Sequence, residues 1–296
     1  MTTIEHKAGF VVHDQAAREC VSLALKMSGL DYGIDRERIM TLPRPGVLHT
    51  VIPNRVSLFR DDTHEYLATV GQDYQVVPNR EVFLPLDAIV SNGQYEVDLV
   101  GEFNGGRKAF VLLKGMGDDD LRFIDTDDKV GNYLLFTTSH DGKGALRCCV
   151  LPYRFTCSNV IAGAMAASGC LSLVHNSTMK KRMKELLTFV KDVPGRFDAR
   201  CEEFKRLSST APTSMKEALA YLEVLDASNR IIESVLGTQE ACQKNLKSWW
   251  TLYNGYNSYL NHECSPNPET RLKSVFTGQS CKRDTDALTW AIAMSA

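Results

Sequence analysis

The run Ser139-His140-Asp141-Gly142-Lys143-Gly144 brings a hydroxyl, an imidazole, a carboxylate and an ammonium close together, and Arg147, Tyr153, Arg154, Cys157 and Asn159 follow. Three kinds of chemistry are open to such a set. His140 and Asp141, joined by His175, would suit a metal site with water in the open position, although no H-E-x-x-H or H-x-H fixes them on one face. Cys157 stands at an expected helix start three residues from Arg154, where a thiol is acidified and could serve as a nucleophile. Lys143, Arg147 and Arg154 would instead hold phosphates, with His140 beside them in the nucleic-acid interface, Tyr153 or Phe155 stacking on bases and Asn159 capping a helix or facing a ligand. The bland alternative is that Ser, Asp and Gly are simply turn residues.

The elements around this motif read plainly. Tyr133 to Thr138 and Ala145 to Phe155 have strand composition, and an Asp-Gly between such runs marks a hairpin. Tyr95 to Phe103 and Arg107 to Lys114 form an earlier pair joined at Asn104-Gly105-Gly106. The acidic stretch Gly115 to Asp128 lacks the spacing of a calcium loop and reads as solvated. Upstream, Gln15 to Leu30 has helical periodicity, Val47 to Phe59, Glu65 to Val70 and Tyr74 to Val77 read as strands, and Glu81 to Ser91 reads as a helix. A helix is expected from about Thr156 through the small residues up to Ala167. Lys180 to Leu207, Thr213 to Leu236 and Gln239 to Leu260 follow a helical period. The expected fold is α+β: an antiparallel β-meander packed on helices, with a core over 1–176 and a mainly helical region over 177–296.

Charge is distributed unevenly along the 296 residues, whose net is −2. Residues 1–138 hold 14 Lys/Arg against 21 Asp/Glu, a net of −7. Residues 139–206 hold 12 against 6, a net of +6. This basic block includes Lys180, Lys181 and Arg182, and with Lys143, Arg147 and Arg154 it would line a groove for a nucleic-acid backbone. Arg107, beside a Gly-Gly turn, would add to it. Neither G-x-x-x-x-G-K-[ST] nor G-x-G-x-x-G occurs, so nucleotide cofactors of the usual kinds are disfavoured and no cofactor is expected. Nine cysteines without a C-x-x-C read as reduced, buried thiols. No signal core or apolar span is present, so a cytoplasmic protein without membrane contact is expected.

An ordered series of residues carries a resemblance. Arg60-Asp61, Val70-Gly71-x-x-Tyr74-x-Val76-Val77-x-Asn79-x-Glu81-x-Phe83, Gly105-Gly106-Arg107, Ser139-His140-Asp141-Gly142 and Pro152-x-Arg154-x-x-Cys157-x-Asn159 follow one another. Together they resemble the phage/plasmid-like protein family of unknown function over about 51–184, and more loosely as far as His262. In that family an Arg-His-Thr triplet is usual where this chain has Val174-His175-Asn176-Ser177. The resemblance implies phage or plasmid DNA metabolism, and the strand-and-helix order is similar in outline to single-strand annealing recombinases. It implies DNA as partner, single-stranded by preference, a homo-oligomer, and an exonuclease of the same element as a second partner. Two other readings remain open: a metal-dependent hydrolase using His140, Asp141 and His175, and a non-catalytic structural or host-interaction protein.

Overall fold

The strand-forming residues from Tyr95 to Arg154 build an antiparallel meander of β5 (Tyr95–Phe103), β6 (Lys108–Gly115), β8 (Asp128–Ser139) and β9 (Leu146–Arg154). The computed structural model describes residues 10–42, 45, 49–155, 159–174, 178–182 and 184–296. β8 is buried along almost its whole length, although only Tyr133 to Phe136 is a continuous apolar stretch and its polar residues are buried with it. Short strands complete the sheet. β1 (Phe10–Val11) pairs with β5, and β7 (Leu121–Asp125) pairs with the first half of β8. β10 (Asn159–Val160) and β11 (Cys170–Leu173) share the outer edge of β9.

Both faces of this sheet are covered. On one, Val97, Val111, Leu134, Phe136, Cys148 and Val150 belong to an apolar cluster that runs from Val12 to Ala291. It includes α2 (Val21–Met27), α3 (Asn79–Phe83), α4 (Asp87–Val90), α8 (Val193–Ser209) and α12 (Trp249–His262). The cluster thus takes residues from both sides of the expected boundary at 176/177. On the other face, α13 (Pro268–Thr277) sets Leu272, Val275 and Phe276 against Phe110, Leu112 and Leu135. A second sheet, β2 (Ile34–Met40), β3 (Val51–Arg60) and β4 (Tyr66–Gly71), stands beside the β5–β6 turn. Arg60 joins the two sheets: it stacks on Tyr32 at 3.8 Å and pairs with Asp62 and Glu102.

Several expectations are corrected. The stretch read as a solvated acidic loop contains β7, and Ile34–Met40 forms a strand although most of its side chains are exposed. Tyr74 to Val77 is not a strand. The first long helix expected in the C-terminal half is described as α6 (Met179–Arg182) and α7 (Lys184–Lys191), on either side of residue 183, which lies outside the described residues, and then α8. The break falls at Asp192, with Pro194 in the first turn of α8, near the Pro194-Gly195 where the sequence allowed a kink or a division. The second divides into α9 (Met215–Val224) and α10 (Asn229–Leu236), and the third into α11 (Gln239–Asn245) and α12. The helix expected from Thr156 is replaced by β10 and a short α5 (Gly163–Ser168), and α13 and α14 (Gln279–Met294) were not anticipated. Residues 156–158, Cys157 among them, lie outside the described residues. The cysteines are not all reduced: Cys149 and Cys170, directly opposed on β9 and β11, form a disulfide.

Polar groups inside the C-terminal half are held by an asparagine ladder. Asn257 and Asn261 on α12 both donate to the Val160 carbonyl, and Asn261 also accepts from the Val160 amide. Asp284 on α14 accepts from Asn257 and from the Gly163 amide at 2.7 Å. Burial pushes its carboxyl up to about 6, against the pull of these donors.

Candidate nucleic-acid interface

The β8–β9 hairpin closes through Asp141. Its carboxylate accepts from the Ser139 hydroxyl and from the amides of Lys143 at 2.8 Å and Gly144 at 3.2 Å, so the tip is an Asx-type turn. Burial raises the Asp141 pKa, but these donors and the Lys108 charge outweigh it and hold the group below the usual carboxylate range. Gly142 takes φ +70°, and a Cβ there would lie 2.7 Å from Val70 on β4, so the tip is pressed against the second sheet.

His140 faces inward and is 1% exposed. Its Nε2 lies 2.8 Å from Asn79 Oδ1 and donates to it, its amide donates to the Arg107 carbonyl, and Asn79 Nδ2 donates to the Leu30 carbonyl. Tyr74 adds a bond from its hydroxyl to the Ser139 carbonyl at 3.1 Å. The tip is therefore built by several segments distant in sequence, and its histidine is a core group rather than a ligand-facing one.

Beside the tip lies a cavity of about 400 Å³ lined by Lys108, Lys143 and Arg147, with Tyr74, Thr138 and Thr277 among the groups around it. Among the described residues, none of the three cations has a carboxylate oxygen within 4 Å. Thr138 is buried and its hydroxyl has no hydrogen-bond partner among the described residues. Such an opening is chemically suited to an anion: three positive charges converge with no carboxylate in direct ion-pair contact among the described residues, although Asp141 lies near enough to feel the Lys108 charge.

The remaining expected residues are placed differently. Arg154 stands at the far end of β9, seven residues and about 23 Å along the strand from Arg147. Its Nε donates to both oxygens of Asp128, at 2.7 and 2.6 Å, and Trp250 Nε1 donates to the same carboxylate. Arg154 is thus part of an internal clamp joining β8, β9 and α12. Tyr153 is 1% exposed and packs between Tyr133 and Phe155, so it offers no ring face to a base. Asn159 is buried, with His262 Nε2 at 2.9 Å from its Oδ1. Lys180, Lys181 and Arg182 lie on α6, which leads into α7. Lys181 is exposed and Arg182 pairs with Glu185. Among the described residues the cavity takes no side chain from α6, and Arg154 stands at the other end of β9. His175, needed for the expected metal set, lies outside the described residues. No group of three His, Cys, Asp or Glu suited to a metal gathers among the described ones.

What the sequence reading missed is an aromatic surface beside Arg107. Phe59 stacks on His64 with ring centroids 4.8 Å apart, Tyr66 lies 5.7 Å from Phe59, and the Arg107 guanidinium lies 5.7 Å over the Tyr66 ring. Tyr66 is 43% exposed. Phe59 and Tyr66 oppose each other across β3 and β4, so the signal lay in the pairing of two strands rather than in either one.

A family model described as a domain of unknown function (DUF932) matches residues 66–288. The chain belongs to that family. No curated protein matches, and no solved structure does. The DUF932 span begins at β4, includes the meander and reaches into α14, so Lys108, Lys143, Arg147 and Tyr66 all fall inside it. Among the described residues no helix is long and apolar enough to cross a membrane. Within the DUF932 span the motif residues Tyr74, Asn79 and His140 converge at the tip, while Gly106 lies in the β5–β6 turn, where the Arg60 guanidinium, from outside the span, comes close to it.

Proposed function

We propose that this protein binds single-stranded nucleic acid, DNA by preference, without itself cutting or joining it. The observation that carries this reading is the convergence of Lys108, Lys143 and Arg147 on one opening, with no ion-pair partner among the described residues. A backbone phosphate enters there, and neighbouring bases lie on the exposed Tyr66 and His64 rings beside Arg107, with half-buried Phe59 stacked beneath His64. Cationic contacts supply sequence-independent affinity, and stacking selects unpaired bases over duplex. An opening of about 400 Å³ suits one nucleotide unit and not a duplex. Strand annealing in a phage or plasmid setting is the process we assign to this binding, on the resemblance alone.

The test is a titration of a fluorescein-labelled thymidine oligonucleotide with wild-type protein, Lys143→Glu, Tyr66→Ala and Trp290→Ala. Trp290 is an exposed ring on α14 and serves as the control. Lys143→Glu and Tyr66→Ala are each expected to weaken binding about tenfold, by about 1–2 kcal/mol, while Trp290→Ala leaves it unchanged. Equal affinities for all four proteins would reject the assignment.

A further inference from the structure

The hairpin cavity gathers more positive charge than an internal phosphodiester can use. Lys108, Lys143 and Arg147 line it, and no aspartate or glutamate is among its described lining residues. Asp141, the acid of the tip, spends its carboxylate on the Ser139 hydroxyl and on the Lys143 and Gly144 amides, and offsets part of the Lys108 charge. Even if Asp141 cancelled one cation in full, two of the three charges would remain. A phosphodiester within a strand carries a single negative charge. A terminal phosphomonoester carries about −1.5 to −2 at neutral pH and presents three strong acceptor oxygens. Three cationic donors on one opening therefore match the monoester in both charge and number of acceptors.

The surroundings favour an end over a through-running chain. Lys108 is half-buried at the start of β6, opposite Ser139 on β8, whereas Lys143 and Arg147 are exposed on the tip and on β9. Further walls come from Tyr74 beside the second sheet, Val174 just after β11 and Thr277 at the end of α13. A chain threading this opening needs a way in and a way out past segments that come from all these elements. A chain that stops here needs only one.

We infer that the preferred occupant of the hairpin cavity is the terminal phosphate of a nucleic-acid strand, its oxygens meeting Lys108, Lys143 and Arg147 while the chain leaves beside Arg107 and Tyr66. This rests on the nucleic-acid reading above and adds to it that the strand is held by its end. Hydrolysis of a phosphodiester leaves phosphate on one of the two new ends and a hydroxyl on the other. The reaction that supplies this ligand is therefore strand cleavage.

Competition titrations with the full chain test this. An internally fluorescein-labelled thymidine oligonucleotide is displaced by unlabelled ones of the same length: hydroxyl at both ends, 5′-phosphate, 3′-phosphate, or closed into a circle. Arg147→Gln and Lys143→Gln each remove one exposed cation, with circular dichroism to verify the fold. Wild-type protein is expected to bind one of the phosphorylated strands about tenfold more tightly than the hydroxyl-ended strand, since an added negative charge faces three cations. The circle should bind no better than the hydroxyl-ended strand, and each variant should remove most of the preference. The 5′ and 3′ arms identify which end is held. Equal affinity for phosphorylated, hydroxyl-ended and circular strands, still weakened by Lys143→Glu, would overturn the end preference and leave the single-strand reading standing. A preference that both variants keep in full would overturn the assignment to this cavity. Binding of no strand at all would overturn the single-strand reading and this inference with it.

Discussion

The hydrogen bond from His140 to Asn79 is buried, and both residues have second anchors, at the Arg107 and Leu30 carbonyls. Replacing His140 by Ala strands the Asn79 carbonyl oxygen in the core. The expected cost is about 1–3 kcal/mol in urea unfolding, and an unchanged midpoint would contradict the structural role given to this side chain. Asp284 offers a second test at this scale. Its carboxyl is raised in the folded state from 3.8 to about 6 by burial, so the folded protein holds the proton more tightly than the unfolded chain. The resulting stability is fully present below about pH 3.8 and is lost as pH rises through about 6, an effect on the order of 3 kcal/mol. Asp284→Asn removes this dependence. Unfolding midpoints of wild type and variant should therefore diverge between pH 4 and pH 7, and parallel profiles would contradict the assignment.

Among the elements, β9 is the strand that organises the molecule. At one end it carries the cationic tip, and at the other Arg154 and Asp128 lock it to β8 and, through Trp250, to α12. Asp128→Ala would leave the Arg154 charge largely buried and free the indole N–H. A loss of about 3 kcal/mol is expected, together with a shift in tryptophan emission; a neutral substitution would show that the clamp is incidental. The Cys149–Cys170 disulfide pins β11 along the same strand, closing a separation of 21 residues. Closure of a loop of that length constrains the unfolded chain by about 3 kcal/mol, so Cys170→Ser or reduction should lower the melting temperature by several degrees. The meander and its hairpin were legible in the sequence because strands buried on both faces carry apolar stretches such as Tyr133 to Phe136 and the turns carry Gly. β2 and β7 were not, since half-exposed strands such as Ile34-Asp-Arg-Glu-Arg-Ile-Met share their composition with loops.

At the scale of the whole molecule, the residue types of the site were legible but their sorting was not. Lys143 and Arg147 were readable because a cationic hairpin tip needs only local sequence. Arg154, Tyr153 and His140 look equally available in one dimension, and only the fold turns them inward, through an acid 26 residues away, a packed ring and an asparagine 61 residues away. Conversely, Lys108 joins the cavity through its pairing with Ser139, and Tyr66 meets Arg107 through the contact of two sheets. Long-range pairing of this sort leaves no trace in spacing. The chain's net charge of −2 likewise conceals a local cationic opening that only the fold assembles.

The most direct test of that opening is the salt dependence of oligonucleotide binding by wild-type protein and by the double variant Lys143→Glu/Arg147→Glu. With three phosphate contacts, the logarithm of the wild-type association constant should fall with the logarithm of salt at a slope of about −2, and the double variant should lose most of that slope along with its affinity. A wild-type slope near zero, or a double variant that keeps both slope and affinity, would contradict the account.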